Sequence, residues 1–145
     1  MMKSAAMHRA KAASWLGLAG AAWVLAMGLT SNASAPQNAT VTPLRVAGLS
    51  QDESKELSMI TVEYQPGGLT PAHTHHAQAL LYVLEGSIVM QVRGGVPVTL
   101  SEGQTWYEGL DDVHIVSRNA SDSAPAKYVV FMVKDKGAPI LTPVK

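Results

Sequence analysis

The chain has no cysteine, a single phenylalanine and no excess of charge of either sign. Without cysteine there can be no disulfide, thiolate metal ligand, catalytic thiol or lipid-modified cysteine. No Arg-Arg pair occurs, which argues against twin-arginine export. No serine stands in a recognisable nucleophile elbow. From position 36 onward there are eight basic and eleven acidic residues. So slight an acidic balance is no signature of nucleic-acid or anionic-membrane binding. After residue 35 no stretch shows a helical period.

What is present starts with a three-part leader. Residues 1–11 carry Lys3, Arg9 and Lys11 and no acid. Residues 12–29 are uncharged and rich in Ala, Gly, Leu and Trp, and Ser31 to Ala35 are small. This is the anatomy of a secretory signal helix, expected over 1–35. The mature protein is then periplasmic or secreted, begins between Ser34 and Gln37, and has no stable membrane association. The alternative is an uncleaved membrane anchor with the stretch after it as a tether. Residues 36–54 read as an extended N-terminal segment, and residues 55–145 as one compact domain.

That domain reads as all-β. Between Ser58 and Tyr64, Ile60, Val62 and Tyr64 fall on one face, Thr61 and Glu63 on the other. Further strands are expected at 80–84, 87–92, 96–100, 104–108, 113–117 and 127–133. Turn signals separate them: Gly67-Gly68, Glu85-Gly86, Gly94-Gly95, Glu102-Gly103 and Asp111-Asp112. Short strands at regular spacing predict a sandwich or a small antiparallel barrel. Tyr64, Tyr82, Met90, Trp106 and Phe131 are expected to line its interior or pack its core.

The chemistry concentrates in Pro71-Ala72-His73-Thr74-His75-His76. On a strand, His73 and His75 share a face and can reach one metal ion. A third ligand must come from elsewhere. The only other histidine beyond the leader is His114, in a strand-like run. Three imidazoles would suit a divalent Fe, Mn, Zn, Ni or Cu ion and leave coordination positions open. His76 has the parity of the opposite face, as has Gln78 relative to His75's partners. Glu108 shares a face with Gln104 and Trp106. If Trp106 points inward, so does Glu108, and a buried carboxylate needs a partner. It is then a fourth ligand or a general base. Otherwise the strand ends there and Glu108 faces water.

Gly67, His73, His75 and Gly86 fall in the register of the first cupin motif, and Gly103 and His114 in that of the second. Asn119 sits one place late. Over roughly residues 55–135 the chain resembles a small single-domain cupin. The resemblance implies a jelly-roll β-barrel and a site of three histidines and one glutamate. The glutamate slot of the first motif is occupied by Ala79, and the Pro and Gly slots of the second by Gly109 and Asp111. The function implied is a metal-dependent dioxygenase acting on a small enol or aromatic substrate. Two alternatives are a non-catalytic metal or small-ligand binder, and a metal-free isomerase using a His–Tyr pair. The Pro-spaced segments Thr40–Ser50 and Ala138–Val144 have no obvious place in a seven-strand barrel, so a homodimer covering them is expected.

Overall fold

The computed structural model describes residues 37–144, and the expected signal segment at 1–35 lies outside them. Ten strands and no helix make up the described residues. They are β1 (Gln37–Leu49), β2 (Asp52–Leu69), β3 (His73–Thr74), β4 (Ala77–Glu85), β5 (Ser87–Val92), β6 (Val98–Ser101), β7 (Thr105–Glu108), β8 (His114–Asn119), β9 (Ala126–Asp135) and β10 (Thr142–Pro143).

Every ladder is antiparallel. One layer runs β1-β2-β9-β4-β7 and the other β6-β5-β8-β3-β10, joined where Leu69 of β2 pairs with Arg118 of β8. The result is a nearly closed barrel of jelly-roll type. Alternation decides what lies inside. Ile60, Val62 and Tyr64 of β2 are buried, with Ala77, Ala79, Leu81 and Val83 of β4. Ala126, Tyr128, Val130 and Met132 of β9 complete that wall, and Ile88 and Met90 of β5 oppose it. Burying a side chain the size of Leu81 is worth about 1.5–3 kcal/mol, and it is 1% exposed.

Local chemistry sets the turns. Gly86, between β4 and β5, has φ 71°. A Cβ there would stand 2.6 Å from the carbonyl oxygen of Pro125, so no other residue fits. Gly67 and Gly103 also adopt left-handed backbone, with φ of 68° and 82°. All three motif glycines therefore answer a geometric demand. Asn119 is 1% exposed, and its amide donates to the carbonyls of Gln65 at 3.1 Å and Ala124 at 2.8 Å. Its Oδ1 accepts from Ser121 N at 2.8 Å. This one side chain ties the end of β8 to β2 and to the loop that follows β8.

Three expectations change. The extended segment expected before the barrel is extended but belongs to the sheet, because Ala39–Gly48 pairs along β2. Its side chains are almost all exposed, so no two-residue hydrophobic period marks it. Pro43 is tolerated because β1 is an edge, paired with β2 alone. Ala138–Val144 also has a place, since Thr142 and Pro143 pair with Thr74 and His73. Finally, Tyr82 and Phe131 are 44% and 45% exposed. Both lie out of phase with inward neighbours, Leu81 and Val83 for one, Val130 and Met132 for the other. Tyr64, Met90 and Trp106 do lie in or against the core.

Candidate metal centre

Two neighbouring strands bring the histidines together. His73 of β3 pairs directly with His114 of β8, and their rings stack with centroids 5.1 Å apart. His75 follows β3, and its ring meets those of His73 and His114 edge-on at 4.8 and 5.1 Å. His73 and His114 are buried and His75 nearly so. Pairing of β4 with β7 sets Glu108 directly opposite Ala79. Cross-strand partners share a face, so the Glu108 carboxylate enters the barrel over the small Ala79 side chain. Its Oε2 lies 3.4 Å from His75 Nε2 and 3.9 Å from His114 Nε2. The ligand atoms of His75, Glu108 and His114 all lie within 4.8 Å of one another.

The inward face of Glu108 therefore settles on the buried side, and the carboxylate stands one strand away from the glutamate slot of the cupin motif. His76 and Gln78 face solvent, and Gln78 donates to the Tyr107 hydroxyl at 3.0 Å. His76 has φ 48°, a left-handed conformation that lets His75 and Ala77 both face inward around it. The loop that delivers His114 is closed by Asp112, whose Oδ2 accepts from Gly109 N at 2.7 Å.

Hydrogen bonding fixes the tautomers. His73 Nδ1 faces the Pro71 carbonyl at 2.8 Å, and His75 Nδ1 faces the Ile140 carbonyl at 2.7 Å. A carbonyl only accepts, so both Nδ1 atoms carry hydrogen. In the neutral rings both Nε2 atoms are then bare lone pairs, and they face each other at 3.2 Å. Burial keeps these rings neutral. It lowers His73 to about 4 and His114 to about 3, with neighbouring imidazoles adding to the effect, and it lowers His75 as well. Burial first, and Asp112 second, raises Glu108 to about 7. His114 Nε2 and Glu108 Oε2 are buried with no hydrogen-bond partner. His75, Glu108 and His114 thus form a donor set suited to a divalent cation, and His73 adjoins it through its Nε2 beside that of His75.

The cavity beside the cluster has about 30 Å³ of free space. Four residues that the sequence did not mark also line it: Thr70, Ser117, Tyr128 and Ile140. Ser117 escaped notice because a register shift opposite Ile115 changes the parity of β8, turning His114 and Ser117 to the same side. The Tyr128 hydroxyl donates to that of Tyr64 at 3.1 Å, which bonds Thr70 Oγ1 at 2.7 Å. Among the described residues no tyrosine hydroxyl bonds a histidine. A larger groove of about 320 Å³, lined by Leu57, Gln78, Leu80, Tyr107 and Phe131, lies on the outer face of the sheet.

Fold and site together define a small antiparallel barrel holding three imidazoles and a carboxylate in its interior. The Cupin domain family matches residues 60–132, half of the chain, and the protein belongs to that family. The rhicadhesin receptor of Pisum sativum is 32% identical over 73 residues, which are 47% of this chain and 34% of that protein. The chain thus spans about a third of that relative's length. Oxalate oxidase, solved with the substrate analogue glycolate, superposes with a TM-score of 0.59 at 22% identity. That match covers 78% of this chain and 58% of the other. The polyketide cyclase RemF of Streptomyces resistomycificus superposes with a TM-score of 0.58 at 20% identity, covering 76% and 73%. These likenesses show the fold.

Proposed function

We propose that the protein is an exported cupin that holds one divalent transition metal on His73, His75, His114 and Glu108, and works as a small-substrate dioxygenase. The observation that carries the metal is the pair of Nε2 lone pairs facing each other at 3.2 Å. Two neutral acceptors so close repel unless both turn to one cation beside them or share a proton. A bound metal would supply Lewis acidity and, for Fe or Mn, redox chemistry. The chain's own residues do the rest. Pro71 and Ile140 carbonyls orient two imidazoles, and the apolar wall of Val62, Met90 and Val130 keeps water out. Glu108, held near neutrality by its burial, can take or return a proton at its carboxylate.

The test is metal analysis of protein purified from its own compartment, followed by oxygen uptake with small enols and hydroxy acids. We expect near-stoichiometric Fe or Mn and substrate-dependent uptake; protein without any transition metal would sink the reading. The cavity's size supports the small enol end of the substrate range over an aromatic ring. It also favours a second reading, a metal-holding binder with no turnover. Full metal loading with no oxygen uptake on any candidate would decide for that. An isomerase is the weaker alternative, since the His–Tyr hydrogen bond it needs is not formed.

We also propose a homodimer, through a different surface from the one read in sequence. The outer face of β2, β9, β4 and β7 exposes Leu57, Leu80, Tyr82, Tyr107, Phe131 and Val133. An apolar face across four strands is self-complementary under a two-fold axis, and a second copy would cover it. Native mass spectrometry on protein from its own compartment should give twice the mass of chains that begin between Ser34 and Gln37. Monomers at micromolar concentration would refute the pairing, and chains retaining Met1 or Met2 would refute cleavage.

A further inference from the structure

The segment Ala138–Val144 crosses the mouth of the barrel beside the histidine cluster. Its Ile140 carbonyl receives His75 Nδ1–H at 2.7 Å, and Ile140 and Leu141 line the cavity. Its far end is pinned by Thr142 and Pro143 pairing with β3, and by Val144 N donating to Ala72 O at 3.0 Å. Its near end is held by Lys134, which is 4% exposed on the inner face of β9. The Lys134 ammonium donates to Glu56 and, at 2.6 Å, to the Ala138 carbonyl. A lysine so buried needs partners to offset its lost hydration, and one of the two found here is the first residue of this segment.

We propose that Ala138–Val144 is a positioning strap for the histidine cluster, with Lys134 as its anchor. The inference rests on the metal reading above and extends it in two ways. First, the strap holds the proton of His75 on Nδ1 and so presents Nε2 to the centre, as outer-shell partners of metal-bound imidazoles do. Second, Ile140 and Leu141 set the size of ligand admitted. The free space is about 30 Å³. A cavity of this size admits water and ligands of a few heavy atoms. Dioxygen, azide and formate belong to that class. Anything as large as a ring requires the strap to lift, and lifting it releases His75 in the same movement.

The experiment compares the full chain, a chain ended after Ala138, and the full-length variant Lys134→Met. In metal-free protein, the His75 Nδ1–H resonance should be a protected downfield proton in the full chain and exchange away in both variants. A core variant that lowers stability without touching the strap, Leu81→Val, should keep it. Cobalt affinity should fall about 10–100-fold in both strap variants, the usual cost of an outer-shell loss. The visible spectrum of the cobalt-loaded full chain should respond to azide and not to catechol, and that of the shortened chain to both. If the shortened chain does not fold, Lys134→Met carries the test. Retention of the resonance, together with cobalt affinity within about twofold of the full chain, overturns the strap. A full chain that takes up no cobalt overturns the metal reading instead, and the metal-free resonance still decides the strap.

Discussion

Replacing His114 by alanine should leave a barrel that still folds but holds no metal at micromolar concentration. His114 is 1% exposed and sits at the meeting of β3 and β8, with its Nε2 turned to Glu108. Loss of an outer-shell partner costs about 10–100-fold in affinity, and loss of a ligand should exceed that. His73→Ala and His75→Ala should behave alike. Glu108→Gln should weaken binding and keep the fold, because the amide fills the same space over Ala79. Dialysis against a graded zinc or manganese buffer, with circular dichroism as a check on folding, measures this. Undiminished metal uptake by the His114→Ala protein would remove the cluster from consideration.

Without metal, stability should depend steeply on pH. His73 and His114 stay neutral in the folded barrel down to about 4 and about 3, whereas in the unfolded chain they gain protons near 6.5. The unfolded state therefore binds more protons below pH 6.5, and stability falls as pH drops toward 4. His73 alone contributes a loss of about 3 kcal/mol over that window. Glu108 acts in the opposite direction. Its folded value is about 7 against 4.5 when unfolded, so its burial costs nothing at low pH and progressively more as pH rises from 4.5 to 7. Chelator-treated protein should thus be most stable near pH 6–7. Glu108→Gln should raise its stability by about 3 kcal/mol at pH 8. Metal reverses the Glu108 tendency and deepens the histidine one, because it binds only the deprotonated set and only the folded state. Urea unfolding at pH 5, 6, 7 and 8 decides. A midpoint that ignores pH, or a Glu108→Gln protein weaker than the parent at pH 8, would contradict this account.

Much of the barrel was legible because its strands alternate. Ile60, Val62 and Tyr64 announce one buried face, and Gly86 and Gly103 mark turns that demand left-handed backbone, whereas Gly67 adopts it at an irregularity inside β2. Histidine spacing pointed to the cluster, and the parity of Trp106 left Glu108 open between an inward position and a solvent-facing strand end; it is buried. Other features have no local signature. The strand β1 is exposed on nearly every residue, so no period reveals it. The bulge at Ile115 changes parity within β8, which hid Ser117. The role of Ile140 is played by a backbone carbonyl, and any residue could stand there. Size alone points Tyr82 and Phe131 inward, and the parity of their neighbours puts them outside.

The register that sets Ala79 opposite Glu108 has a wider bearing. A ligand in this barrel is addressed by its rung and its face, and two strands share every rung. A carboxylate can therefore stand on β4 or on β7 and enter the same chamber, provided its opposite number is small enough to make room. What changes is the stalk that carries it. On β4 the group would be flanked by ladders on both sides, whereas β7 closes the layer and is paired on one side only. The acid of this site thus sits on the more pliant support, next to the turn that Asp112 holds shut. That turn runs directly from Glu108 to His114, so the carboxylate and one imidazole share a connection that His73 and His75 do not.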